Sequence, residues 1–484
     1  MLPKYRDLYR NFKSEGFTTE NVSKALSMHS TDAARMQKLY GRYTGDQEAV
    51  SIFHRPDPAP FSFDSSPRLA RLDQYIRNSL ANNWDAEIAD TKVGYLFGNP
   101  ISYSLDDTKA NKHEKKQKAE IKDRLSDFLL RNNAEDKDAE AGLLATVCGY
   151  SGRLMYIAAD GKGLERYTNV EPWNCIFFPS VEDPEFSIYY YDTEKGRTVE
   201  CYDDTTIHIF STENHGVLQK VSEQAHMFAC NPLFGFANNR DLRGDAENVI
   251  SLIDAYDRTI SDVASEIEQY RLAYLVARGV ALDPEDMERV NQNGIFELFG
   301  KDDSLSYLTK DVNDGMIEHF LDRLEKNIIR FAKSVDFTDE AFGTQISGVA
   351  MRFKLLSLEN KSITMERKFT AGLRHQMRAL FSVWQLRHRY DVEEYLNVFF
   401  NYSRNVPVNK AEEADLTLAL RGNVSEETRL AQLSFVDDVQ FEMDKMEEQR
   451  DDVDVLGYKA TPHLRLDLDE ELEDEADLKD VDDN

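Results

Sequence analysis

Residues 350–390 read AMRFKLLSLENKSITMERKFTAGLRHQMRALFSVWQLRHRY. Met351, Leu355, Leu358, Met365, Phe369, Leu373, Leu380 and Trp384 recur at helical spacing, which predicts one long amphipathic helix. The same stretch holds nine Lys/Arg, namely Arg352, Lys354, Lys361, Arg367, Lys368, Arg374, Arg378, Arg387 and Arg389. Only Glu359 and Glu366 oppose them, although the 484-residue chain carries a net charge of −30. A basic rod in so acidic a body implies either an electrostatic seam between subunits or contact with a polyanion.

Segment 336–348 leads into the rod. After Asp339 and Glu340 it reads Phe342-Gly343-Thr344-Gln345-Ile346-Ser347-Gly348. Two apolar side chains and two glycines exceed what a plain helix-to-helix turn needs. Gly343 and Gly348 permit backbone angles that other residues resist, so a function on the loop is expected.

Two more helical patterns lie upstream. Val249, Ile253, Tyr256, Ile260, Val263, Ile267, Tyr270 and Tyr274 alternate spacings of four and three, an a/d stripe. Asp254, Asp257, Asp262, Glu266 and Glu268 lie opposite, and Asp245 is placed to cap the start. The stripe fits a core helix and a helix packed against its own copies equally well. Ile317, Phe320, Leu324, Ile328, Phe331 and Val335 mark the second helix. Between the two, 279–312 reads as a small insertion, with a short helix at 284–290 and strands near 295–299 and 306–308.

The first half is α+β. Helices are expected over much of 1–90, at 84–97 up to the terminator Gly98-Asn-Pro100, and at 112–131 and 136–149. Short β-branched or aromatic runs at 153–159, 175–178, 186–191, 198–202 and 206–210 predict an antiparallel sheet. The chain after 390 reads as helical to about residue 450. The tail 467–484 carries eleven acids against Lys479 alone and should be solvated.

Several function classes drop out. Apolar runs such as 142–148 fall far short of the roughly 20 residues that span a bilayer, and no signal peptide is expected. The four cysteines, Cys148, Cys175, Cys201 and Cys230, form no CxxC and read as buried thiols. No phosphate loop, GxSxG or HExxH occurs. His208, between Ile207 and Ile209, reads as a sheet histidine, and Asp203-Asp204 as a turn. Asp336, Asp339 and Glu340 are a weak divalent-ion or nuclease candidate. No catalytic residue, metal or cofactor is expected.

In order, these parts resemble the portal proteins of tailed double-stranded DNA bacteriophages, in the branch with long non-contractile tails and Gram-positive hosts. The resemblance rests on Asp90-Thr-Lys-Val-Gly-Tyr-Leu-Phe-Gly-Asn-Pro100, Gly149-Tyr-Ser-Gly-Arg153 and Val170-Glu-Pro172. It continues through Asn238-Asn239, Gly244-Asp245, Leu252-Ile-Asp-Ala-Tyr256, Phe320-Leu-Asp-Arg-Leu324 and Ile346-Ser-Gly-Val-Ala350. It covers roughly residues 80–390. Asn231-Pro-Leu-Phe-Gly-Phe236 departs from the family's Pro-Ile-type strand before Asn-Asn.

The resemblance implies an α+β portal-type fold. Its parts would be an N-terminal helical wing segment (1–80), an α/β wing (81–244), a first stem helix (245–272) and a small α/β clip (273–312). A second stem helix (313–335), a tunnel loop (336–348), the long basic helix (349–390), a helical crown (391–455) and the acidic tail (456–484) would follow. It further implies a homo-oligomeric ring of about twelve subunits around a channel that passes double-stranded DNA. The ring would sit at one capsid vertex of the virion after assembly in the host cytoplasm. Expected partners are the terminase large subunit, a head-completion or adaptor protein, and the major capsid and scaffolding proteins, with no membrane.

DNA contact is then expected at Asp339, Glu340, Phe342, Gly343, Thr344, Gln345, Ile346, Ser347 and Gly348. The basic helix, through Arg352, Lys354, Lys361, Arg367, Lys368, Arg374 and Arg378, becomes the seam between acidic subunits. The alternative is a non-portal helical scaffold or adaptor with a coiled-coil stem.

Overall fold

The computed structural model describes residues 3–56, 77–105, 112–159, 162–213, 216–270, 274–278, 304–308, 314–337, 348–406, 410–433, 436, 439 and 441–447. The chain divides into two compact units, Met1–Val406 and Pro407–Asn484. The second contributes helices Lys410–Leu420 and Glu426–Leu430.

Local signals set the helices of the first unit. Thr18 caps helix Thr19–Thr44 by accepting from the Asn21 N–H. Asn83 caps Trp84–Phe97 in the same way, and that helix stops at Gly98 as expected. Helix Lys112–Asn132 is followed at once by Ala134–Cys148, which ends on Gly149 at φ +101°. A Cβ there would lie 2.2 Å from the Leu242 carbonyl oxygen, so only glycine fits this turn.

The strands are β1 Ser102–Leu105, β2 Tyr150–Ile157, β3 Glu165–Val170, β4 Cys175–Phe178, β5 Phe186–Thr193, β6 Gly196–Tyr202, β7 Thr206–Ser211, β8 Gln219–Ala225, β9 Leu233–Ala237, β10 Tyr274–Arg278, β11 Ser304–Leu308 and β12 Val398–Asn401. One antiparallel sheet runs β4-β5-β6-β7-β8 and a second runs β3-β2-β9. Helices Arg6–Glu15 and Thr19–Thr44 cover the five-stranded sheet, burying Phe12 and Val22 with Phe178, Ile188, Val199 and Phe210. The Asp203 carboxylate accepts from the Thr205 and Thr206 amides, making the expected turn before β7.

The 41-residue helix Gly348–His388 is the spine of the main core. Leu355, Leu358, Met365, Phe369, Leu373, Leu380 and Trp384 of its predicted stripe are all buried. Phe369 stacks on Phe236 at 4.1 Å between centroids. The helix lies so close over β9 that a Cβ at Gly372 would meet Phe236 at 2.6 Å and the Gly235 carbonyl at 2.8 Å.

Helices Ile250–Tyr270 and Asp314–Ala332 pack on each other, with Val249, Ile253, Ile328 and Ala332 meeting Ile88 at their base. Strands β10 and β11, on the chain between them, pair from Tyr274↔Leu308 to Arg278↔Ser304. The expected short helix at 284–290 and strand at 295–299 lie outside the described residues. So does the acidic tail.

Three expectations need correction. The chain after 390 is not helical throughout, because Val398–Asn401 pairs with Ser102–Leu105, and paired backbone outweighs helical periodicity there. The predicted stripe of helix Asp314–Ala332 is rotated: Leu324 and Ile328 are buried, but Phe320 and Phe331 remain 48% and 56% exposed. Asp245 does not cap helix Ile250–Tyr270, which starts a full turn later.

Candidate functional site

The expected DNA-facing residues Asp339, Glu340, Phe342, Gly343, Thr344, Gln345, Ile346 and Ser347 lie outside the described residues. Gly348 is the first residue of the long helix. The seam expected on that helix can be placed residue by residue.

Several of its cations are engaged within the chain. Lys361 Nζ sits 2.8 Å from Asp245 Oδ2 and donates to the Ala332 carbonyl at 2.6 Å. Lys368 pairs with Glu182 at 2.9 Å, Arg378 with Asp183 at 2.7 Å and Arg387 with Glu165 at 2.8 Å. Lys354 is also engaged. Even the two acids are spoken for, since Arg404 donates to Glu359 at 2.9 Å and to Glu366 at 2.6 Å.

Arg352, Arg367 and Arg374 differ. Each is exposed and makes no ion pair among the described residues. With Phe353, Leu356, Asn360, Thr364 and Ala371 they form one exposed stripe at helical spacing. Phe353 is 72% and Leu356 50% exposed on it. The helix therefore has a buried apolar side, flanks tied by ion pairs, and one uncovered face with three unspent guanidiniums.

Asp245 is the fixed point beneath. Its carboxylate lies 3.2 Å from Lys92 Nζ and 2.8 Å from Lys361 Nζ, and it accepts from Asn238 Nδ2 at 2.7 Å. Burial alone would raise its pKa, but the two ammonium groups hold it below the usual carboxylate range. Burial pushes Lys92 down to about 8 against the pull of Asp245. Nearby, Glu247 accepts from the Gly244 amide at 2.6 Å and pairs with Arg35. Helix Trp84–Phe97, the chain leading into Ile250–Tyr270 and the long helix thus meet at one buried carboxylate.

A second tie lies farther along the long helix. His375 Nδ1 is 2.9 Å from Asp183 Oδ1, and its Nε2 is 2.8 Å from the Asn231 carbonyl. Burial would lower the His375 pKa, yet these bonds and the contact with Cys230 raise it to about 9. The hydrogen bond from His375, helped by Arg378, pulls Asp183 down to about 2.

The acidic face of helix Ile250–Tyr270 is not an open acidic wall. Arg42 pairs with Asp254 at 2.9 Å and Arg55 with Asp262 at 2.8 Å. Asn82 donates to Asp257 at 2.8 Å, and Asn78 to Glu268 at 3.0 Å. Sequence reasoning missed these partners because they come from helix Thr19–Thr44, from Arg55 and from residues 78–82, far away in the chain. Ile267, on the predicted a/d stripe, is instead 64% exposed.

All four cysteines are free and buried. His208 bonds Asp203 at 3.2 Å within the sheet, as expected of a structural histidine. Among the described residues no group of three or more His, Cys, Asp or Glu is placed to hold a metal ion, and no helix is long and apolar enough to cross a membrane.

Comparison with known proteins adds the remaining observation. Residues 23–455 match the family described as "Phage portal protein, SPP1 Gp6-like". The portal protein of Clostridium phage phiCD119 is 23% identical over 455 residues, covering 87% of this chain and 94% of that protein. The portal protein of Bacillus phage SPP1 is 22% identical over 427 residues, covering 80% and 79% respectively.

Proposed function

The chain belongs to the SPP1 Gp6-like family of phage portal proteins, and on that premise we propose that it assembles into a closed ring of about twelve copies. The ring surrounds a channel for double-stranded DNA at one capsid vertex, serving packaging and ejection. Terminase and a head-completion protein dock on it, capsid and scaffolding proteins surround it, and its role is structural rather than catalytic.

The observation that carries this reading is the uncovered face of the long helix. Among the described residues Arg352, Arg367 and Arg374 find no carboxylate, while the chain as a whole carries −30. The surface of a second copy supplies the missing anions. Exposed Ile267, Phe320 and Phe331 on the helix pair give a second, apolar face for a neighbour to cover. The seam narrows to these three arginines, since Lys361, Lys368 and Arg378 are committed inside the subunit. DNA contact remains assigned to 339–348. Negative-stain imaging of the purified protein tests the reading: rings with a central hole are expected, and compact monomers alone would refute it.

A further inference from the structure

Residues 78–82 lie alongside helix Ile250–Tyr270, held by a regular pattern. The Asn78 amide donates to Ser265 Oγ at 2.8 Å, the Leu80 amide to Ser261 Oγ at 2.9 Å, and the Asn82 amide to Asp257 Oδ1 at 2.8 Å. Alternate residues of the strap meet every fourth residue of the helix, in antiparallel sense. The repeats match: four helical residues rise ~6.0 Å, and two extended residues span ~6.6 Å.

The acceptors are built for this use. Asp257, Ser261 and Ser265 are 1%, 0% and 6% exposed. Ser265 sends its own proton back to the Ser261 carbonyl at 2.7 Å, and Ser261 sends its proton to the Asp257 carbonyl at 2.6 Å, with the strap's Leu80 carbonyl farther off at 3.3 Å. That leaves the oxygen lone pairs turned to the strap amides. Buried serines inside a helix are poor helix formers, so the row would weaken the helix without the strap. The strap ends are pinned as well. Arg77 donates to the Pro56 carbonyl at 3.1 Å, and Asn82 and Asn83 lead directly into helix Trp84–Phe97, whose Lys92 reaches Asp245.

We propose that the strap fixes the angle of helix Ile250–Tyr270 to the body, and that this angle sets how many subunits close the ring. The helix is held at its base by Asp245 and along its length by the three rungs, so it cannot pivot on the base alone. A ring closes only when the rotation between neighbours divides a full turn, so a loosened helix admits more than one closure. The second half of the proposal rests on the ring reading above; the rungs themselves do not.

Hydrogen–deuterium exchange and native mass spectrometry on the full chain test both halves. Replacing Ser261 and Ser265 together by alanine is expected to speed exchange at the Asn78 and Leu80 amides about tenfold and to broaden the distribution of subunit numbers. The Ser261→Thr, Ser265→Thr pair keeps the oxygens and should restore both, which separates the rungs from a general folding defect. Unchanged exchange in the alanine variant would overturn the strap. Faster exchange with an unaltered ring size would overturn its role in assembly. A wild-type protein that forms no ring would fail the portal reading instead, while the exchange arm still reports on the strap.

Discussion

The Asp245 carboxylate and the Lys361 ammonium lie 2.8 Å apart, joining the foot of one long helix to the flank of another. Lys92 reaches the same carboxylate at 3.2 Å, and both Lys92 and Asp245 are almost wholly buried. Removing one member of such a group leaves an uncompensated charge in the interior. Asp245→Asn should destabilise the protein by about 3–5 kcal/mol, measured by urea unfolding. A loss below about 1 kcal/mol, the worth of a surface pair, would show that the group is not the anchor described.

The close crossing of the long helix over β9 makes a second prediction. Gly372→Ala places a methyl 2.6 Å from the Phe236 ring, against backbone that cannot retreat. Destabilisation of about 1–3 kcal/mol is expected from overpacking. At Gly94, where nothing lies within 4 Å, the same change should be harmless or mildly stabilising. Equal effects at the two sites in thermal unfolding would contradict the packing.

The His375–Asp183 contact predicts a pH dependence. His375 is raised from 6.5 to about 9, so its stabilisation is complete below about 6.5 and fades as pH climbs through 9. Asp183 is lowered from 3.8 to about 2, so its contribution is present above 3.8 and fades as pH falls through 2. The contact therefore acts fully between pH 3.8 and 6.5. The difference in Tm between wild type and Asp183→Asn should be largest there and shrink by pH 9. A difference that grows from pH 6.5 to 9 would have the wrong sign.

His29 acts in the opposite direction. It lies buried between the hydroxyls of Tyr190 at 3.1 Å and Tyr150 at 3.2 Å, and burial pushes it down to about 4. The unfolded chain takes up the proton first, so stability is lost as pH falls from 6.5 towards 4. His29→Gln should flatten that acid limb of the Tm profile, at some cost at neutral pH. An unchanged limb would place the proton uptake elsewhere.

Much of this architecture was legible in the sequence where periodicity is long and local. The stripe from Leu355 to Trp384 located the long helix because each turn repeats the same choice, and Gly98-Asn-Pro100 marked a true helix end. Short elements were harder. β9 reads Leu233-Phe-Gly-Phe-Ala237, an apolar run without alternation because the strand is buried on both faces. β8 is an exposed polar edge strand with no pattern to find. The charged residues misled most. Asp245 looked like a helix cap because its neighbours in sequence suggest one, whereas its partners Lys92 and Lys361 are brought by folding. The basic helix looked uniformly available, yet only folding reveals which cations are already matched. Among the described residues of the helix itself, Arg352, Arg367 and Arg374 remain exposed and without an ion pair.

Those three residues allow the most direct test. Native mass spectrometry of the wild-type protein should show a closed assembly of about a dozen subunits, and Arg367→Glu with Arg374→Glu should shift it to monomers that still unfold cooperatively. Intact rings in the double variant, or a wild type that remains monomeric, would contradict the account.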